Sequence, residues 1–145
     1  MAATAALVVA AMLGQGAIAL ILLFVLGAIR VPMVASGKIP VKDIALSREP
    51  WPEAEKKVSN AFDNQFQLPV LFYVSCGLTL YFGAGWVEVA LAWLFVVSRI
   101  VHAVIFATRN RVYRRFFAYT FGYVVLVLWW IDLAVRLALI ATGSR

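Results

Sequence analysis

Of the 145 residues, 64% are hydrophobic and only 14% are charged, and the mean hydropathy is +0.92. A soluble domain of this size needs about a quarter of its residues charged to cover its surface, so the composition excludes one and makes lipid the solvent. The formal net charge of +6 comes from lysines and arginines set between apolar runs rather than along one face; anionic lipid headgroups are its natural counter-charge, and nucleic acid is not.

The first apolar run, about Ala5 to Ile29, exceeds the roughly 20 residues that cross about 30 Å of hydrocarbon as helix. No basic region precedes it, and a signal-peptide core of about 7–15 residues is far shorter, so it reads as a true span. The stretch from Arg30 to Trp51 carries Pro32, Gly37, Pro40 and Pro50 and predicts an irregular loop on the membrane surface.

A second span is predicted from near Pro52 to near Phe82. Pro52 suits a first helical turn, and Glu53 and Glu55 complement the positive end of the helix dipole. Asn60, Asp63, Asn64 and Gln67 follow at i, i+3, i+4 and i+7, a spacing that puts all four on one helix face. Pro69 removes a helix hydrogen bond and frees the carbonyl of Gln65, which predicts a kink beside this polar stripe. Cys76, the one cysteine, lies within the apolar run; it excludes an intrachain disulfide and reads as a small buried residue, and no metal-ligand spacing occurs.

Gly83-Ala84-Gly85 breaks the helix and predicts antiparallel packing of the second span on a third, about Trp86 to Thr108. The third span holds Ser98, Arg99 and His102. Arg99 lies about nine residues from its end, roughly 13 Å below the membrane rim, where a charge needs a partner or a water-filled cleft. Asp63, at similar depth, is the predicted partner. The fourth span, about Tyr113 to Ile140, contains Asp132 and Arg136, an i,i+4 set that reads as a self-neutralising pair or an interfacial snorkeller rather than a site.

Lysines and arginines fix the expected orientation. Arg30, Lys38, Lys42, Arg48, Lys56 and Lys57 flank or occupy the first connection, and Arg109, Arg111, Arg114 and Arg115 the third. The second connection has none, and toward the termini stand only Arg136 and Arg145. This bias puts connections one and three in the cytoplasm and both termini on the non-cytoplasmic side. The expectation is an all-α, integral membrane four-helix bundle in which residues 1–145 form one domain.

Polar groups inside a membrane are costly, so their positions carry the functional signal. Each has a plain structural reading: the amides as glue between helices, His102 as a packing residue. Together with Arg99, at one depth beside the most basic loop, they suit a cleft for a small anionic polar molecule, with arginines on its carboxylates and amides on its peptide groups. An apolar co-substrate would enter from lipid. A thiol bound there would ionise more readily beside an arginine.

Ser98-Arg99-Ile100-Val101-His102, then Asn110-Arg111, Phe116-Phe117 and Gly122-Tyr123, with Asn64, Gln67 and Pro69 upstream, resemble the MAPEG family of membrane-associated proteins in eicosanoid and glutathione metabolism, in a bacterial-type member. The resemblance covers about Lys56 to Leu137. It implies a homotrimer in a bacterial inner membrane, with glutathione as co-substrate near the cytoplasmic face and a lipophilic small molecule as its acceptor. Arg99 would hold glutathione, Asn64 and Gln67 would contact its peptide, and Asn60, Asp63 and His102 would border the same site. Arg111 would be the catalytic thiolate arginine, with Arg114 and Arg115 as rivals, and no metal is implied. Three departures stand out. Gln67 replaces the family's glutamate, Val101 or His102 and Phe106 replace its third-helix tyrosines, and Asn60 stands where an arginine is usual. The implied activity is a glutathione-dependent transferase or peroxidase acting on lipophilic electrophiles. The alternatives are a non-catalytic lipid-binding protein of the same fold and a small transporter using Asp63 and Arg99 as a relay.

Overall fold

The computed structural model describes residues 2–143, and Arg145 lies outside the described residues. All regular structure among them is helical: α1 Ala3–Ala35, a single turn α2 Val41–Ile44, α3 Glu53–Asp63, a 3-10 turn Asn64–Phe66, α4 Leu68–Phe82, α5 Trp86–Ala107 and α6 Val112–Ala141. Three of these, α1, α5 and α6, are long and apolar enough to cross a membrane.

The second predicted span is not one helix. It breaks at Gln67, whose backbone angles of φ −102° and ψ −104° are non-helical, and α4 restarts with Pro69 in its first turn. Proline is accommodated there because a first-turn residue needs no N–H partner. The predicted kink is thus a full interruption, and the 15 residues of α4 measure only about 22 Å.

The long loop is also shorter than expected. α1 runs through Pro32 to Ala35, ending where Ser36 and Gly37 donate to the carbonyls of Pro32 and Val34 and Gly37 turns at φ +70°. Pro32 leaves the Ala28 carbonyl without its helix N–H, a single bond lost in the last turn. The extension is held by Arg30, whose guanidinium pairs with Glu55 of α3 at 2.5 Å. Glu55, expected at the helix start as a dipole partner, is fully buried in this pair.

α5 lies at the centre, against α6, α1 and α3, while α4 packs on α6 and α1. One apolar cluster joins Val8 and Ala11 of α1, Phe72 and Cys76 of α4, Phe95 and Val96 of α5, and Val125 and Trp129 of α6. The Phe72 and Phe95 rings stack at 4.7 Å, with Trp129 edge-on to Phe72 at 5.8 Å. α5 and α6 approach closely where Gly122 meets Ser98; a Cβ there would sit 2.5 Å from the serine Oγ. A second cluster, at the other end, joins Leu22 and Leu26 to Val58, Ala61, Ala103 and Phe106. Leu13, Leu20, Ile21 and Phe24 of α1 face outward, as a lipid-exposed helix face would.

Polar ties lie within this apolar frame. Trp129 Nε1 donates to Thr79 Oγ1 at 3.0 Å, both residues fully buried. Thr79→Val keeps the shape but orphans the indole N–H, and a loss of about 1–3 kcal/mol is expected, measured by thermal unfolding in detergent. Gln15 of α1 donates to Gln65 at 3.0 Å. The predicted Asp132–Arg136 pair forms at 3.1 Å, with a partner that the sequence did not suggest. Arg136 also pairs with the fully buried Glu88 and donates to the carbonyl of Gly83 at 2.9 Å. Glu88 in turn accepts from the Gly85 N–H at 2.8 Å, so one carboxylate caps α5 and ties the 83–85 turn to α6.

Candidate functional site

Beside the α3–α4 break lies a cavity of about 480 Å³. Asn60, Asp63, Asn64 and Gln67 line one side; His102 and Phe106 of α5 and Val112, Arg115, Phe116 and Tyr119 of α6 complete it. The helical stripe read from the sequence therefore does share one wall. The opposite wall obeys the same rule, since residues 112, 115, 116 and 119 also fall at i, i+3, i+4 and i+7.

Arg99 sits immediately behind the amide wall, fully buried and outside the cavity's own lining, bonded to the backbone of the wall residue Asn64. Its Nη2 donates to the carbonyl of Asn64 at 3.1 Å, and its guanidinium lies 5.5 Å from the centre of the Tyr119 ring. Nε and Nη1 have no hydrogen-bond partner among the described residues. A guanidinium buried with two donors unused is costly unless another group completes it.

Asp63 is not the partner of Arg99. Its carboxylate instead accepts from Arg48 Nη1 at 2.6 Å, at the half-exposed rim of the cavity. That bond, with the attraction of the same carboxylate, raises the Arg48 pKa above its ordinary value. The loop folds back over the start of the polar stripe, where a charge can remain solvated, and Arg99 is left to the backbone at the helix break.

The three candidate thiolate arginines separate clearly. Arg111 precedes α6, and it and Arg114 are exposed; neither lines the cavity. Arg115, one turn further on, does. Its Nη1 donates to Asn110 Oδ1 at 2.7 Å, and its guanidinium lies 3.9 Å from the centre of the Phe106 ring. Asn110 makes this geometry by turning the chain at φ +46°, a left-handed conformation that asparagine tolerates, with its N–H bonded to the Ile105 carbonyl at 2.7 Å.

His102 is buried with Nδ1 unpartnered, edge-on to Phe106 at 5.7 Å and tilted against Tyr119 at 5.7 Å. Tyr119, which no sequence motif marks, brings a hydroxyl to the cavity from α6. Among the described residues no group of three or more histidines, cysteines or carboxylates could hold a metal ion. Cys76 is buried in the apolar core, away from the cavity.

The MAPEG family model matches residues 3–135, which takes in α1, the broken helix, α5 and most of α6. The chain belongs to the MAPEG family. With three helices of spanning length and composition, it is a MAPEG-like membrane protein. No curated protein and no solved structure matches it. In this MAPEG chain the polar cavity is built by the α3–α4 break, the middle and end of α5, and the first two turns of α6.

Proposed function

We propose that this MAPEG-family protein binds glutathione in the cavity beside the α3–α4 break and directs its thiol at lipophilic electrophiles, as a transferase or peroxidase. The observation that carries the reading is Arg99, fully buried against the amide wall with Nε and Nη1 unused. Glutathione offers what the wall lacks: a carboxylate for Arg99, an ammonium for Asp63, and peptide groups for Asn60, Asn64 and Gln67. Arg115 would hold the negative charge of the sulfur, and Tyr119 would supply a hydroxyl from α6 where Phe106 has none on α5.

The same reading includes four membrane crossings, the broken helix serving as the second, with the loop before α3 and the turn before α6 on the cytoplasmic side by their lysine and arginine bias. Asn60 and Gln67 are exposed on the single chain, as are the apolar Phe66 and Val70 at the break. A neighbouring subunit of a homotrimer would cover them and close the site.

The test is equilibrium binding of glutathione to the purified protein, with thiolate absorbance followed in the near ultraviolet across pH. Saturable binding with a thiol pKa below about 8.5, the ordinary cysteine value, is the expected result. A well-assembled protein that binds no glutathione would overturn the reading. Non-catalytic lipid binding would then take its place, and Gln67 and Phe106, which lack the family's carboxylate and hydroxyl, are the residues that favour it.

A further inference from the structure

A second cavity, about 750 Å³, opens between the last turns of α1 and the loop that leads to Trp51. Arg30, Arg48 and Trp51 form its polar side, and Val31, Val34 and Leu46 part of its apolar side. Helix length sets its depth. α1 is uncharged from Ala3 to Ile29, about 40 Å of helix against about 30 Å of hydrocarbon, so Arg30 and the cavity lie at headgroup level.

The two arginines differ in what it takes to recruit them. Arg30 holds Glu55 through Nε at 2.8 Å and lies 5.2 Å from the centre of the Trp51 ring; Glu55 is fully buried, so releasing Arg30 would strand a charge. Arg48 and Asp63 are exposed to 59% and 43%, and a solvated pair of this kind contributes little net stability. A phosphate oxygen can therefore replace Asp63 on Arg48 while Arg30 stays in place, and a guanidinium can take two such oxygens at once. Beside it, Leu46 is completely exposed and Val31 is 66% exposed, apolar surface that an acyl chain covers and a free anion does not.

We infer that this cavity is a binding site for an anionic phospholipid, its phosphate on Arg48 in place of Asp63 and an acyl chain along Val31, Val34 and Leu46. The assignment rests on Arg48 and the loop and does not require glutathione, although Asp63 borders both cavities.

The test is native mass spectrometry of the full chain in neutral detergent with equal amounts of phosphatidylglycerol and phosphatidylcholine of matched chains. One phosphatidylglycerol should be retained in preference, and Arg48→Gln should reduce that preference about tenfold, as expected for one charge-assisted contact. Arg109→Gln, the same charge change at the exposed end of α5, should leave it intact. Asp63→Asn removes the competitor and should strengthen retention, whereas Asp43→Asn should not; Leu46→Glu should weaken it. Equal losses in Arg48→Gln and Arg109→Gln would reduce the effect to diffuse charge and overturn the site. Displacement by inorganic phosphate at the lipid's own concentration would overturn the lipid assignment, as would indifference to Asp63→Asn.

Discussion

Arg99→Met is expected to abolish glutathione binding while leaving the protein folded and as stable as the parent. Two guanidinium nitrogens lack partners among the described residues, and each charge-assisted hydrogen bond that they make to a ligand is worth about 1.5–3 kcal/mol. Their loss raises Kd by about a hundred- to ten-thousand-fold. Stability should move the other way or not at all. Arg99 is fully buried with one hydrogen bond, to the Asn64 carbonyl, and replacing a buried charge by an apolar side chain of similar volume is often neutral or stabilising. Arg99→Ala should lose binding equally, with some stability lost to the hole it leaves. Calorimetric titration with glutathione and thermal unfolding in detergent separate the two effects. An Arg99→Met protein that binds glutathione with unchanged affinity would remove Arg99 from the site, and one that fails to assemble would make it a structural residue.

Arg115→Ala should act on chemistry instead. Loss of a cation beside the sulfur lets the thiol pKa climb back toward about 8.5, so the pH at which the rate levels off moves upward. Removing a preorganised group that stabilises developing or localised charge typically lowers kcat by about a hundred- to a thousand-fold. The affinity for glutathione should change by less than about tenfold, since Arg99 and the amides remain. Arg111→Ala should leave kcat and the pH profile unchanged, because Arg111 is exposed ahead of α6 and does not line the cavity. The reverse pattern, a fall in Arg111→Ala and none in Arg115→Ala, would move the thiolate role to Arg111. Arg115→Lys should recover part of the rate, keeping the charge without the planar fork that bonds Asn110.

Much of the cavity wall was legible in the chain because it lies on helix faces. The i, i+3, i+4, i+7 rule picks Asn60, Asp63, Asn64 and Gln67, and these do share a cavity wall. The same rule applied to α6 from Val112 would have found Arg115 and Tyr119 as well. The sequence offers Arg115 only as a rival to Arg111 and does not mark Tyr119, because that face also carries Phe116 and Val112 and its polar members do not stand out from an apolar span. Partner choice was not legible. Asp63 and Arg99 match in charge and depth, yet Arg48 takes Asp63, because a loop of more than a dozen residues folds back over the polar stripe and no periodicity reports where a loop goes.

The sequence by itself determined the helical class, the lipid solvent, three of the four spans it predicted, a disturbance of the helix near Pro69 and the membership that its motifs suggested, since each follows from local composition or from spacing along one helix. The tertiary structure alone decided that the second run is two helices rather than one, that Arg30 carries α1 past Pro32 to reach Glu55, and that Arg136 serves Glu88 as well as Asp132. It also decided which arginine turns into the cavity. Each of these depends on pairing between residues distant in sequence, and such pairing is set by how the helices and loops pack, which side-chain spacing within one segment does not encode.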